Sequence, residues 1–462
     1  MKFTGKQVAA FGIGAVGKDM VYALSSSYIM YYYQDILGLK AGFVGLILMI
    51  ARIFDAFNDP LMGVLVAKTN TRFGRFRPWL FSGTVLNALV LYAMFAAPDL
   101  SETGLMVFFA VIYILWGMTY TMMDIPFWSM IPAVTDTPKD REHLSVVGRS
   151  CAGVGSALVQ VGTLMAVQLL GGGSERRGFA WVALVVSLIF VATEVVLCLS
   201  FKEKKQQKAD KTVSVKDMLT SLIHNDQALV TVVTILLVNT ALYITSNLVI
   251  YFFKYDFGGA MWYGSYTTFT MVGGVLQILG MMLVYPLLRK KFSNTAVFRI
   301  AMACTISGYA LLLLLCLTGL GGSLPLLCVC GALIFMANGM LSVLTTVFLS
   351  STADYGELKT GEREESVIFS MQTFVVKAAS GIASFVVGIG LDLIGLVGST
   401  DQTGEIVAQS AGAITGLRLL MTILPVLGLL GALLVFRKKF ILTDEKVAEM
   451  AEQLKKRHSA EA

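Results

Sequence analysis

The sequence predicts an all-α membrane protein with twelve transmembrane helices in two six-helix bundles, and three observations predict it. First, 56% of the 462 residues are aliphatic, aromatic, Met or Cys, and only 14% are charged. Globular proteins average about 25% charged residues. The mean hydropathy is +0.73, and a soluble fold of this size could not cover itself with so few charges, which excludes a soluble enzyme. The wealth of aromatic and branched residues excludes disorder. Second, the apolar residues form continuous runs of about twenty, not the alternating segments of about ten that build a β-barrel. Third, Lys and Arg gather in the short loops at one end of these runs, as in a chain oriented in a bilayer. The net charge of +6 is therefore a membrane signal and no sign of a nucleic-acid partner.

The spans can be taken in order. Span one, near 8–33, carries Lys18 and Asp19; they interrupt the apolar run, and no A-x-A site follows, so no cleaved leader is expected. Its Gly12-x-Gly14-x-x-Gly17 has the spacing of a dinucleotide fingerprint but no preceding strand. Small residues at this spacing instead let helices approach closely. Span two, near 41–66, holds Arg52, Asp55, Asn58, Asp59 and Pro60. Span three lies near 79–98, and span four, near 104–134, carries Trp116, Tyr120, Asp124 and Trp128 at four-residue spacing. Span five, near 146–171, opens close to Arg149, and span six lies near 178–201. The second set lies near 228–255, 261–288, 297–318, 323–350, 366–396 and 411–436. This gives an N-terminal bundle over 1–201, a polar middle loop over 202–227, a C-terminal bundle over 228–436 and a tail over 437–462. The six cysteines all lie in apolar stretches and read as buried thiols; Cys328-x-Cys330 has no partner pair, which argues against a metal site.

Basic residues follow spans two, four, six, eight, ten and twelve, from Lys68, Arg72, Arg75 and Arg77 to Arg437, Lys438 and Lys439. The loops on the other side are nearly bare apart from Lys40, Arg176 and Arg177. Both termini are therefore expected on the cytoplasmic side. The halves repeat weakly: Thr135-Asp136, Arg141-Glu142 and Ser145 after span four answer Ala353-Asp354, Arg363-Glu364 and Ser366 after span ten. Two six-span repeats around a central site are the layout of a major facilitator transporter.

A charge at the bilayer centre costs at least about 2.5–3.5 kcal/mol. Lys18, Asp19, Arg52, Asp55, Asp59, Asp124, Arg149 and Lys377 all lie within spans, four acids balancing four bases. Glu194, Asp392 and Arg418 lie nearer span ends and stand outside this set. If the eight were only staples, apolar packing would replace them at lower cost. Asp55 and Asp59 share a helical face with Asn58 beside them, and two facing carboxylates invite a cation or proton between them. Pro60 leaves the carbonyl of Ala56 without its usual donor. These oxygens suit a hard cation such as Na⁺ or Li⁺, and Thr121 could add another; alternatively Arg52 simply neutralises Asp55. Asp124 can accept from neighbouring hydroxyls, and its aromatic stripe can stack on a sugar's C–H face. Core packing is the alternative, and the favoured one for Trp116. Arg149 offers a fork of donors for adjacent hydroxyls or extends to the cytoplasm. Lys377 stands near Gln372 and Thr373. No His lies in a span, and no nucleophile or metal-hydrolase motif accompanies the acids, so an enzyme is not expected.

At Ala51-Arg-Ile-Phe-Asp-Ala-Phe-Asn-Asp-Pro60 and Tyr113-Ile-Leu-Trp-Gly-Met-Thr-Tyr-Thr-Met-Met-Asp-Ile-Pro-Phe-Trp128 the chain resembles the glycoside–pentoside–hexuronide cation symporters of the major facilitator superfamily. Arg72-Phe-Gly-Arg-Phe-Arg-Pro-Trp79 and Val375-Val-Lys377 add to the likeness, which spans nearly the whole chain. The resemblance implies symport of a glycoside, such as melibiose or another galactoside, with Na⁺, Li⁺ or H⁺ by alternating access in a bacterial inner membrane. It implies no cofactor beyond the coupling ion and no obligate protein partner. Asp55, Asn58, Asp59 and Thr121 match the family's cation site. Asp19, Asp124, Trp128, Arg149 and Lys377 match its galactoside site, with Lys18, Tyr120, Gln372 and Thr373 close by. Arg141, Glu142, Asp354 and Arg363 match its cytoplasmic gating charges. In span ten the family's galactoside carriers have a Trp, where this chain reads Asn338-Gly-Met-Leu-Ser342-Val. A glucoside, pentoside, hexuronide or lysolipid is the alternative cargo; eight central charges favour a polyol over a lipid.

Overall fold

The computed structural model describes residues 5–69, 71–134, 138–201, 225–259, 261–360, 365–398 and 406–461. Among them the structure is helical apart from one isolated bridge between Thr71 and Gly74. Among the described residues, twelve helices are long and apolar enough to cross a membrane. In chain order they are α1 (Gly5–Tyr31), α2 (Ala41–Lys68), α3 (Arg77–Phe95), α4 (Glu102–Val134), α5 (Pro138–Gly171) and α6 (Glu175–Ser200). The second set is α7 (Asp226–Tyr251), α8 (Trp262–Leu279), α9 (Asn294–Leu317), α10 (Leu324–Thr360), α11 (Glu365–Leu393) and α12 (Ala411–Lys439). Helix α8 continues through a π-helical stretch, Gly280–Val284, to Arg289. Side-chain oxygens of Ser174, Asn225, Ser293 and Ser410 accept from the backbone N–H three residues on, starting α6, α7, α9 and α12. Outward-facing leucines such as Leu169, Leu199 and Leu393 are at least 78% exposed, as suits a surface that meets lipid.

The chain forms two compact units, Met1–Thr212 with Val397–Ala408, and Val213–Leu396 with Gln409–Ala462. Within the first, α1 packs on α5 and α6, α3 on α4 and α6, and α2 on α4. Within the second, α7 packs on α11 and α12, α9 on α10 and α12, and α8 on α10. The same pairings thus recur six helices later. The first helix of each unit also ends alike, in a π-helical turn (Tyr32–Ile36 and Phe252–Phe257) closed by a glycine at positive φ, 77° at Gly38 and 68° at Gly258. A side chain at either glycine would be strained. The second unit's core gathers Val238, Phe298, Tyr309, Leu344, Leu429 and Phe436 from α7, α9, α10 and α12.

Two helices run further than hydropathy foretells, and one more lies in the tail. Helix α5 begins at Pro138, ahead of its apolar stretch, and proline is suited to the first helical turn. Helix α10 continues ten residues past 350 to Thr360 through a polar but helix-competent segment. The tail contains a further helix, α13 (Asp444–Glu461), packed on α10. Asp444 and Glu445 in its first turn complement the helix dipole, a signal present in the sequence. All six cysteines are free thiols.

Candidate functional site

The glycines of α1 set the site's depth. A Cβ on Gly12 would stand 2.9 Å from Cys151 Sγ, and one on Gly17 would meet Thr193 Oγ1 and the Phe190 backbone. Across α5, Gly155 lies against the Val16 carbonyl. The G-x-G-x-x-G run is thus a packing seam for α5 and α6, as small residues permit. This close packing carries Lys18 inside, where it is 3% exposed.

Around the Lys18 ammonium stand the acids of two helices. Nζ lies 2.7 Å from Asp124 Oδ1 and 3.1 Å from Asp19 Oδ2. It also donates to the Tyr120 hydroxyl at 3.1 Å. Trp128 Nε1 donates to the same Asp124 oxygen at 3.1 Å, and the Arg149 guanidinium carbon lies 4.1 Å from the Trp128 ring centroid. Lys18, Asp19, Tyr120, Asp124, Trp128 and Arg149 therefore form one cluster. Arg149 is exposed while its guanidinium lies over the Trp128 ring. Lys18 is sealed, whereas the Asp124 and Asp19 side chains are 27% and 19% exposed. Two accessible carboxylates backed by a buried cation can accept hydrogen bonds from adjacent hydroxyls. Trp116 is 1% exposed and stacked between Tyr113 and Tyr120, a core residue as the sequence favours.

A second cluster lies between α2 and α4. Thr121 Oγ1 donates to Asp59 Oδ1 at 3.0 Å. One turn earlier on each helix, a Cβ on Gly117 would stand 2.9 Å from Asp55 Oδ1. Asp55 Oδ2 also accepts from Arg52 at 3.3 Å, so the neutralising role considered for Arg52 is present for Asp55, while Asp59 faces Thr121. Asn58 is half-buried beside Asp59. Helix α2 runs through Pro60 without a break. These oxygens could hold a hard monovalent cation.

The two clusters share α4, with Gly117 and Thr121 on the cation side and Tyr120 and Asp124 on the other. A second link passes through Tyr22, which sequence reasoning missed. Arg52 lies over its ring at 5.6 Å, and the ring meets Tyr120 at 5.4 Å. An aromatic residue in an apolar span gives no signal by itself. Glu194, set aside as too near a span end, is 1% exposed in α6.

Gln372, Thr373 and Lys377 stand on α11 of the second unit. Gln372 Nε2 donates to Thr346 Oγ1 at 3.1 Å, Thr373 is exposed and Lys377 half-buried. One turn before Thr346, Ser342 is exposed and its hydroxyl donates to the Asn338 carbonyl. Asp354 is half-buried near the end of α10. Arg141 and Glu142 lie on α5 with side chains outside the described residues, and Arg363 lies outside them altogether.

The chain matches the family described as MFS/sugar transport protein over residues 10–443. It is 28% identical to the raffinose carrier protein of Pediococcus pentosaceus, covering 96% of this chain and 71% of that one. It is also 28% identical to the isoprimeverose transporter of Lactiplantibacillus pentosus, over 96% and 90%. Among solved structures it is similar in fold to a bacterial homolog of the human lysosomal transporter Spinster, with TM-score 0.68, 11% identity and coverage of 95% and 97%.

Proposed function

We propose, from the premise that the chain belongs to the MFS/sugar transport protein family, that it is a cation-coupled sugar symporter whose cargo is a glycoside carrying a galactosyl ring, such as melibiose. It is a multi-pass membrane transporter of major facilitator fold, not an enzyme. Its membrane is the bacterial inner membrane, with both termini cytoplasmic, a reading supported by the basic loops. The observation that carries the sugar reading is the Lys18–Asp19–Asp124 cluster, joined through α4 to the Asp59–Thr121 pair.

The cation, Na⁺ or else Li⁺ or H⁺, binds at Asp55, Asn58, Asp59 and Thr121. Its charge offsets the repulsion of the two acids and draws Thr121 toward α2. The same movement of α4 carries Tyr120 and Asp124, so the two sites are coupled. By linkage, a cation that raises sugar affinity has its own affinity raised by the same factor. Asp19, Asp124 and Arg149 hold the sugar's hydroxyls, Lys18 and Tyr120 position the acids, and Trp128 gives a ring face. Gln372, Thr373 and Lys377 are the contribution of the second unit, and Arg141, Glu142, Asp354 and Arg363 gate the cytoplasmic side. One charge moving through 100 mV gains about 2.3 kcal/mol, enough for roughly a fifty-fold sugar gradient.

The test is uptake of labelled α- and β-galactosides into energised vesicles, with and without Na⁺ or Li⁺. Na⁺- or Li⁺-stimulated galactoside uptake is expected. A second reading, a pentoside cargo, is favoured by the likeness to an isoprimeverose transporter and by Ser342 in place of an aromatic ring. It is supported if no galactoside is taken up but Na⁺ still protects the protein against heat and a xyloside is transported.

A further inference from the structure

Glu194 is the buried acid that the mechanism above leaves unused. It is 1% exposed, and neither carboxyl oxygen has a hydrogen-bond partner among the described residues. It packs against α1 where Gly14 leaves room: a Cβ there would lie 3.5 Å from Oε1. Gly14 is one helical turn before Lys18, so the carboxyl lies beneath the same face of α1 that carries the ammonium. Lys18 on α1 and Asp124 on α4 are the charges that act on it. Of the other helices packed on α6, α3 carries Arg77 and Tyr92 near its two ends. Helix α5 brings Cys151, against Gly12, and Arg149, engaged by Trp128.

An ionised carboxylate removed from water without a donor is very costly, and a buried neutral carboxyl far less so. Lys18 does not serve as that donor here, because it is engaged with Asp19, Asp124 and Tyr120. We propose that Glu194 is a proton-binding site that exchanges with Lys18. It holds a proton while Lys18 is engaged by Asp19 and Asp124, and gives it up when a bound glycoside takes over those carboxylates and the ammonium turns to Glu194. The carboxyl O–H bond breaks, its electron pair stays on the carboxylate, the proton leaves to bulk water, and Lys18 keeps its three protons. The inference rests on the reading of Asp19 and Asp124 as sugar ligands. Its sign follows from linkage: the glycoside-bound form holds one proton fewer, so rising pH favours binding, by up to about tenfold per pH unit where the proton is surrendered. Because Glu194 is separate from the α2–α4 pair, the effect persists when Na⁺ fills the cation site.

The experiment uses the full-length protein and Glu194→Gln, with Na⁺ protection against heat as the check of folding. Infrared spectra at neutral pH are expected to show a protonated-carboxyl C=O band in the parent that Glu194→Gln lacks and Glu194→Asp shifts. Calorimetry with a nitrophenyl α-galactoside at saturating Na⁺, in two buffers of different ionisation enthalpy, is expected to show about one proton released per glycoside in the parent and none in Glu194→Gln. Identical infrared bands in the parent and both variants overturn the proton site. A band that is lost while proton release is unchanged overturns the exchange with Lys18. A parent protein that binds no glycoside at any pH overturns the sugar reading instead, and the infrared result still decides whether Glu194 holds a proton.

Discussion

The two units pair their helices in the same order yet place their charges differently. In the first, Lys18, Asp19, Arg52, Asp55, Asp59, Asp124 and Glu194 lie within the helices and face one another across α1, α2, α4 and α6. In the second, the described charged pairs are Lys359 with Asp226 and Arg289 with Asp444 near helix ends, and Arg418, two turns inside α12, with Asp256 at the π-helical end of α7. Among its described residues, Lys377 is the charge deepest within a helix. It has an aromatic and aliphatic core, with Lys254 and Glu357 also buried. The repeated scaffold thus carries its described mid-helix acid clusters in the first unit, where we propose that the cation and sugar bind. Buried charges are costly and are kept where they bind something.

The largest effect that could break this contrast comes from Asp124. Asp124→Asn removes the charge that accepts from Lys18 and Trp128. If Asp124 accepts from two sugar hydroxyls, each such charge-assisted bond contributes about 1.5–3 kcal/mol, so the neutral amide should lower glycoside affinity about a hundredfold. Equilibrium binding to the purified, folded variant measures it, and normal affinity would move the sugar site away from the first unit. Next comes Asp59→Cys. It removes the acceptor of Thr121 and should abolish Na⁺-driven accumulation while passive sugar exchange survives in part. Counterflow and energised uptake, compared in the same vesicles, separate the two. Na⁺ stimulation equal to the parent's would sink the cation assignment.

Gly117→Ala asks for a finer change. Its Cβ would stand 2.9 Å from Asp55 Oδ1, the end of a side chain that can shift by a few tenths of an ångström. Cation affinity should fall several-fold, with glycoside affinity retained once the cation is saturating. Titration of Na⁺ protection against heat, followed by sugar binding at high Na⁺, checks both parts. A lowered sugar affinity at saturating Na⁺ would mean that the two faces of α4 do not act separately.

The contrast between the halves was partly legible in the sequence, because acids and bases inside apolar spans stand out by their insertion cost. Asp55, Asp59, Asp124 and Lys18 announce themselves in this way, and helical spacing places Asp55 beside Asp59. Spacing offered the Arg52–Asp55 pair within α2, but not that Lys18 reaches across to Asp124 on α4 as well as to Asp19. That choice depends on how deeply α1 sinks against α5 and α6, which the glycine seam decides in three dimensions. Tyr22 links the clusters through ring contacts, and an aromatic ring in an apolar span has no distinguishing pattern. Glu194 was visible as a charge but discounted by its place near a span end; its depth appears only when Gly14 is seen to receive it. The extra length of α5 and α10 was hidden because hydropathy marks where a helix meets lipid, not where it stops.

The smallest effect on transport is expected in the second unit, at Asp256. Its two oxygens accept from Arg418 Nε and a terminal nitrogen, both at 2.7 Å, and the guanidinium also donates to the Cys316 carbonyl at 3.0 Å. The fork ties the π-helical end of α7 to α9 and α12. Asp256→Asn keeps the shape and loses the charge, while Arg418 retains the Cys316 carbonyl and part of its access to water. Stability should fall by about 1–3 kcal/mol, the range for weakening hydrogen bonds to a charged group. Glycoside affinity and the Na⁺ concentration for half-maximal stimulation should stay within about twofold, since neither residue belongs to either cluster. Denaturation of the variant beside its Na⁺-dependent uptake measures both. A normal melting temperature with impaired Na⁺ stimulation would show that this pair of the second unit takes part in coupling.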